Sequence, residues 1–340
     1  MWAVARWQDS LPSLSSRGRT RDDMNVQKKS IQRVAAIQLE AVLGDIARNL
    51  SQCERLAIEA GEAGADWIVL PEFFTTGMGF TPVLIGKALP PDGPATRLLL
   101  SLARRFHAHV GGSFLCLDDD GEVRNAFFLA SPDGIIGRHN KDVPTLWENC
   151  WYVGGTDDGR FNMAGTKLGV VLCAEFGRTE TVRRLRGVDL VLGGSFTWHM
   201  PDYFPKWAGR ESLDRQLFRE VSDWASPFAR LVGAPVVEAA HCGTLRCRDQ
   251  LLPLSYTCQI GDGTRICAAD GTVLASRKPT EGPGVAVADV ETGSTKPFDT
   301  LPSRAWLKPL GPIGQIMWSL QRWRGRAWYG KHISRRGRLD

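Results

Sequence analysis

Residues 168–178 read Leu-Gly-Val-Val-Leu-Cys-Ala-Glu-Phe-Gly-Arg. The run is apolar and partly β-branched as far as Leu172 and then breaks into small and charged residues, which predicts a short buried strand delivering Cys173 at its end. Two other stretches have the same form. DWIVLPEFF (66–74) runs from Ile68, Val69 and Leu70 into Glu72, and GIIGRHNK (134–141) reads as a hairpin strand that delivers Lys141. Further apolar runs lie at 33–39, 110–117, 125–131, 188–195, 235–240 and 284–290. Between several of them apolar residues recur at helical spacing: Leu50, Leu56, Ala57 and Ala60; Leu98, Leu102 and Phe106; Leu213, Leu217, Val221, Trp224 and Phe228. Strand, helix, strand repetition predicts one layered α/β domain over residues 31–295. Ser-Pro-Asp-Gly at 131–134 and Ala-Asp-Gly at 269–271 add hairpin turns to it.

Catalytic groups of α/β sheets gather where strands end, so Glu72, Lys141 and Cys173 are expected to share a site. A free thiol has a pKa near ~8.5 and needs a base to attack at neutral pH. Glu72 suits that role. Attack on an amide or nitrile carbon develops negative charge, for which Lys141 and the backbone N–H of Ala174 are the candidate stabilisers. Taken singly the three residues would be ordinary: a solvated strand-end Glu, a surface Lys, a Cys filling the core.

Their surroundings make the combination specific. LPEFF around Glu72, HNKDVPTLWE from His139 to Glu148, and GVVLCAEFGR from Gly169 to Arg178 resemble, in order and spacing, the three signature blocks of the nitrilase, or carbon-nitrogen hydrolase, superfamily. The resemblance runs from about Arg33 to Val290. It implies an αββα sandwich that forms four layers on dimerisation, with Glu72 as base, Lys141 as oxyanion stabiliser and Cys173 as nucleophile, and with neither metal nor organic cofactor. It also implies a second carboxylate at Glu148, holding Lys141 and the attacking water or leaving amine. Cys-Ala-Glu-Phe-Gly-Arg departs from the usual amidase surroundings of the nucleophile, and His241 stands where many relatives carry Asn. Phe73, and Phe196 and Trp198 of GGSFTW, are the expected substrate contacts, with His241 either a further one or only the replacement of a structural amide.

The activity expected from the resemblance is hydrolysis of a small amide or N-carbamoyl compound through a Cys thioester. The alternatives are a nitrilase and an amide-forming acyltransferase; a silent binding scaffold is disfavoured because all four family positions are filled. A homodimer or higher homo-oligomer is expected.

With 43% hydrophobic and 23% charged residues the chain reads as globular, and no apolar run is long enough to span a bilayer. Its net charge of +5 is unevenly spread: residues 1–31 contribute +3 and 318–340 contribute +6, leaving −4 for the body between them. A mildly acidic body argues against a nucleic-acid groove. The start, MWAVARWQDS, lacks a secretory pattern and suggests a cytoplasmic address. Residues 1–30, with the Ser- and Arg-rich run at 10–23, are expected to be a disordered extension, and Met24 is an alternative start.

Eight cysteines without any Cys-x-x-Cys pair read as buried thiols, Cys242 and Cys247 included. His107 and His109 likewise read as structural. Residues 296–340 form a basic, Trp-rich extension in which Ile313, Ile316, Met317, Leu320 and Trp323 recur at helical spacing. That face is expected to be buried on the domain or a partner subunit, with weak contact to an anionic membrane surface as the alternative.

Overall fold

Alternate side chains of a strand leave opposite faces of a sheet, so runs apolar at every position, such as 34–37 and 168–172, need cover on both sides. The computed structural model, which describes residues 30–163, 165–198, 223–248, 255–261, 263–308 and 312–334, provides it. Its strands are β1 (Ser30–Leu39), β2 (Trp67–Val69), β3 (His109–Leu117), β4 (Val123–Ser131), β5 (Gly134–Asn140), β6 (Arg160–Met163) and β7 (Thr166–Leu172). They continue with β8 (Leu190–Gly194), β9 (Val236–His241), β10 (Thr244–Arg248), β11 (Ser255–Gln259), β12 (Thr264–Cys267), β13 (Val273–Arg277) and β14 (Gly284–Thr292). The α-helices among the described residues are α1 (Ile46–Glu62), α2 (Pro94–Phe106), α3 (Thr179–Leu185), α4 (Ala225–Val232) and α5 (Pro312–His332).

One sheet runs β14-β1-β2-β3-β4-β5 and the other β6-β7-β8-β9-β12-β13, while β10 and β11 form a separate hairpin. The two sheets join where Gln38 and Leu39 pair in parallel with Ala240 and His241. Between them lie Val34, Ala36, Val69 and Phe127 of one sheet against Leu168, Val170, Leu192 and Val237 of the other. On the outer faces, Ala35, Ile37 and Ile68 pack on α1 and α2, and Val171, Val191 and Val236 pack on α3 and α4. The architecture is therefore an αββα sandwich, and each large aliphatic side chain buried in it contributes roughly 1.5–3 kcal/mol.

Parallel pairing of β7 with β8, β8 with β9, β9 with β1, β1 with β2 and β2 with β3 gives these strands one direction. β5, antiparallel to a strand that is itself antiparallel to β3, shares it. The carboxyl ends of β2, β5, β7, β8 and β9 consequently open on one edge.

Both expected hairpin turns are present, joining β4 to β5 and β12 to β13. Residues 1–29 and the expected helical positions Leu213, Leu217 and Val221 lie outside the described residues, whereas Trp224 and Phe228 are buried at and in α4. All eight cysteines are reduced and buried. His109 stacks on Trp67 with centroids 4.2 Å apart, and His107 ends α2 in the left-handed conformation.

The tail docks, but through a different face from the one its periodicity suggested. Ile316, Leu320 and Trp323 are 65, 38 and 70% exposed, while Gly325 and Tyr329 are buried. Tyr329 offers a hydroxyl that finds partners on the domain and Gly325 lets the backbones meet; neither registers as apolar periodicity. No helix among the described residues is long and apolar enough to cross a membrane.

Candidate active site

Glu72 follows β2 after Leu70 and Pro71, Lys141 directly follows β5, and Cys173 directly follows β7. The strand ends bring all three together with Glu148, which sits in a 3₁₀ turn (Leu146–Cys150). Lys141 Nζ donates to Glu72 Oε1 at 2.9 Å and to Glu148 Oε2 at 2.8 Å. Thiol and carboxylate atoms of Cys173, Glu72 and Glu148 lie within 4.8 Å of one another. Glu72, Lys141 and Glu148 are wholly buried, and Cys173 is nearly so.

Each carboxylate is held by one oxygen. Asn125 Nδ2 donates to Glu72 Oε1 at 2.8 Å, while Tyr152 Oη (2.5 Å) and the Thr145 N–H (2.8 Å) donate to Glu148 Oε2. The other oxygens, Glu72 Oε2 and Glu148 Oε1, are buried without a protein partner. Buried acceptors left open in this way are free for a ligand's donors.

Burial, only partly offset by Lys141, lifts the Glu72 carboxyl to about 7. Burial alone would lower Lys141, but Glu148 and Glu72 outweigh it and hold the ammonium well above its ordinary value. Burial, together with Glu72, also raises the Cys173 thiol, so the sulfur is protonated at rest.

Cys173 has a φ of +47° and Phe73, next to Glu72, a φ of +54°. For residues with a β-carbon the left-handed region costs roughly 1–2 kcal/mol, sustained where surrounding contacts fix the backbone. Around Cys173 the fixing residue is Glu175. Its carboxylate accepts from the Leu172 N–H at 2.9 Å and the Asp142 N–H at 2.8 Å, strapping the Cys173 turn to the residue after Lys141. His139 stands between Glu175 (3.0 Å) and Asp157 (2.5 Å). Burial lowers the imidazole's pKa, but Glu175 and Asp157 more than reverse this and raise it to about 10, so it is a buried cation.

At the end of β8 the sheets almost touch: a Cβ on Gly194 would lie 2.5 Å from the Glu72 nitrogen. The Phe196 carbonyl beyond it accepts from Cys173 Sγ at 3.9 Å, and its ring meets those of Phe73 and His241. His241 Nε2 donates to the Glu72 carbonyl at 2.6 Å, and burial lowers its pKa to about 4, leaving the ring neutral. His241 thus holds the backbone of Glu72. The Trp198 ring lies tilted by 36° against Trp147 with centroids 4.6 Å apart, and Ala174 is partly buried beside Cys173.

Sequence reading did not single out Asn125, His139, Tyr152 or a structural role for Glu175. Two of them had a signal: His139 precedes Lys141 by two residues and Glu175 follows Cys173 by two, each a charged group set into an apolar strand end.

The carbon-nitrogen hydrolase family model matches residues 33–299. Similar curated proteins include a nitrilase of Pyrococcus abyssi, 28% identical over 198 residues that cover 56% of this chain and 74% of the relative. The 2-oxoglutaramate amidase of Bacillus subtilis is 24% identical over 193 residues, 54% of this chain and 73% of the relative. Among solved structures, an amidase from Nesterenkonia sp. AN1, with acrylamide added to its active-site cysteine, superposes with a TM-score of 0.57 at 21% identity. That match covers 80% of this chain and 96% of the amidase and shows a common fold.

Proposed function

The chain belongs to the carbon-nitrogen hydrolase family and is a carbon-nitrogen hydrolase, and from that premise we propose that it hydrolyses a small amide or N-carbamoyl compound through a thioester on Cys173. The observation that carries the choice of amide is that Glu72 Oε2 and Glu148 Oε1 are open buried acceptors, on two carboxylates that each bring an oxygen within 4.8 Å of Cys173 Sγ. An amide –NH2 brings two N–H donors to such a pair. A nitrile nitrogen brings none and would leave both acceptors buried and unpaired, at about 1–3 kcal/mol each.

In this reading Cys173 Sγ attacks the carbonyl carbon as its proton passes to Glu72, since the thiol is not ionised beforehand. A carboxyl poised near 7 both accepts that proton and returns it to the leaving nitrogen. Lys141 spends two of its three N–H donors on Glu72 and Glu148; the third, with the Ala174 N–H, meets the oxyanion. The C–N bond breaks and ammonia or an amine leaves. Water then attacks the thioester, losing its proton to Glu72, and the acid departs as the thiol reforms. Phe73, Phe196, Trp198 and His241 shape the surroundings of the acyl group. Phe196 also lines a cavity of about 380 Å³ together with Leu43 and Leu245 and the polar Glu40, Arg48 and Arg246, which gives room beyond it for a polar or charged end of the acyl group.

Paired amides and nitriles of several acyl groups test the reading, with intact-mass detection of the acylated chain. We expect kcat/KM at least ~10-fold higher for the amide, as loss of hydrogen-bond partners in a buried site discriminates strongly. An adduct should form in the wild type and not in Cys173→Ala. A nitrile that outperforms its amide throughout would move the assignment to nitrilase, and an adduct surviving Cys173→Ala would remove the nucleophile.

A further inference from the structure

Helix α5 lies beyond the family-matched residues and packs directly on the turn that carries Glu148. A Cβ on Gly325 would sit 2.6 Å from Asn149 Cβ, 3.0 Å from its carbonyl carbon and 3.1 Å from the Cys150 nitrogen. Hydrogen is therefore the only side chain this crossing accommodates without displacement of the two residues that follow Glu148.

One turn further on, Tyr329 Oη accepts from the Val123 N–H at 2.9 Å and donates to Glu122. The Val123 carbonyl in turn accepts from the Val153 N–H at 2.9 Å, next to Tyr152, whose hydroxyl holds Glu148. Val123 also opens β4, two residues before Asn125, whose side chain holds Glu72 and whose carbonyl accepts from the Lys141 N–H at 2.9 Å. Trp328 rests on Phe80, which meets Trp151, so an apolar cluster of Trp147, Cys150, Trp151, Tyr152 and Tyr329 closes around the same turn.

We propose that α5 positions the Glu148 carboxylate for catalysis, with Gly325 and Tyr329 as positioning residues that clamp the Leu146–Cys150 turn against Lys141. The inference rests on the role given to Glu148 above. It adds that the C-terminal extension is part of the catalytic apparatus without touching substrate. Glu148 stays within reach of Cys173 and Lys141 only while its turn is held in place, and a shift of about 1 Å in such a group lowers turnover by as much as ~100-fold.

The test is steady-state amide hydrolysis by the full chain in Gly325→Ala, Gly325→Val, Tyr329→Phe and Glu148→Gln, with Gly325→Val also combined with Glu148→Gln. Arg326→Ala, on the exposed side of the same helix, is the control. We expect kcat to fall by ~10-fold or more in Gly325→Val, less in Gly325→Ala and Tyr329→Phe, with KM changed by less than about twofold and Arg326→Ala unaffected. Because Gly325 acts through Glu148, the double variant should be barely slower than Glu148→Gln alone, a non-additivity that general loosening of the fold would not produce.

Wild-type kcat in folded Gly325→Val and Tyr329→Phe would overturn the proposal, as would fully multiplicative losses in the double variant. If Gly325→Val does not fold, Gly325→Ala and Tyr329→Phe carry the same comparison. Full activity in Glu148→Gln would instead overturn the catalytic reading of Glu148 itself, an outcome separate from the failure of the clamp.

Discussion

Burial, with the neighbouring Glu148 carboxylate adding to it and the shared Lys141 ammonium only partly offsetting it, lifts the Glu72 carboxyl to about 7 where 4.5 is ordinary. The folded value lies above the unfolded one, so the stability contributed by this group is present below about 4.5 and is lost as pH rises through 7. In the proposed mechanism catalysis runs the other way, since Glu72 would have to be deprotonated to accept the thiol proton. We expect kcat/KM to rise with pH along an acid limb whose apparent pKa is near 7. A pH-rate profile with its limb in the ordinary carboxylate range would show that Glu72 is not the controlling group.

At the level of elements, the ends of β5 and β7 are tied by side chains, not by pairing. Glu175 joins the two turns, and His139, charged between Glu175 and Asp157, neutralises the carboxylate that does so. With a folded pKa raised from 6.5 to about 10, His139 contributes stability that is complete below 6.5 and disappears as pH rises through 10. His139→Gln removes the cation and leaves Glu175 buried with, among the described residues, the more distant Arg184 as its charge partner, 3.8 Å away. Loss of one member of such a buried pair costs about 3–5 kcal/mol. Urea unfolding should register that loss at pH 7, and the variant's stability should be flatter than the wild type's between pH 7 and 10. Equal alkaline sensitivity in both proteins would mean that His139 is neutral.

For the whole molecule, the outer stripe of α5 remains uncovered in a single chain. Ile316, Leu320 and Trp323 are flanked by exposed Arg322, Arg324 and Arg326, and the helix carries no acid. Two such helices facing each other would repel, whereas α5 of one copy against the acidic body of another would not. We expect a homodimer in sedimentation that weakens with salt and is shifted toward monomer by Leu320→Ser with Trp323→Ser. An unchanged oligomer in that variant, with lost binding to anionic vesicles, would assign the stripe to a membrane surface.

The layered α/β order was legible in the sequence, because short, partly β-branched apolar runs alternate there with segments of helical period. Glu72, Lys141 and Cys173 were legible as candidates because each breaks an apolar run at its end, and Glu148 only through the family resemblance. Only the tertiary structure decided how the carboxylates divide their oxygens between Lys141 and the open side. It alone showed that His139 and Glu175 hold the Cys173 turn, and that the tail docks by Gly325 and Tyr329. Those features depend on hydrogen bonds and close approaches between residues up to about two hundred positions apart, such as Tyr329 and Val123. Hydrophobic periodicity reports which face of an element is apolar; it carries no information about which distant backbone comes within reach of a glycine or a hydroxyl.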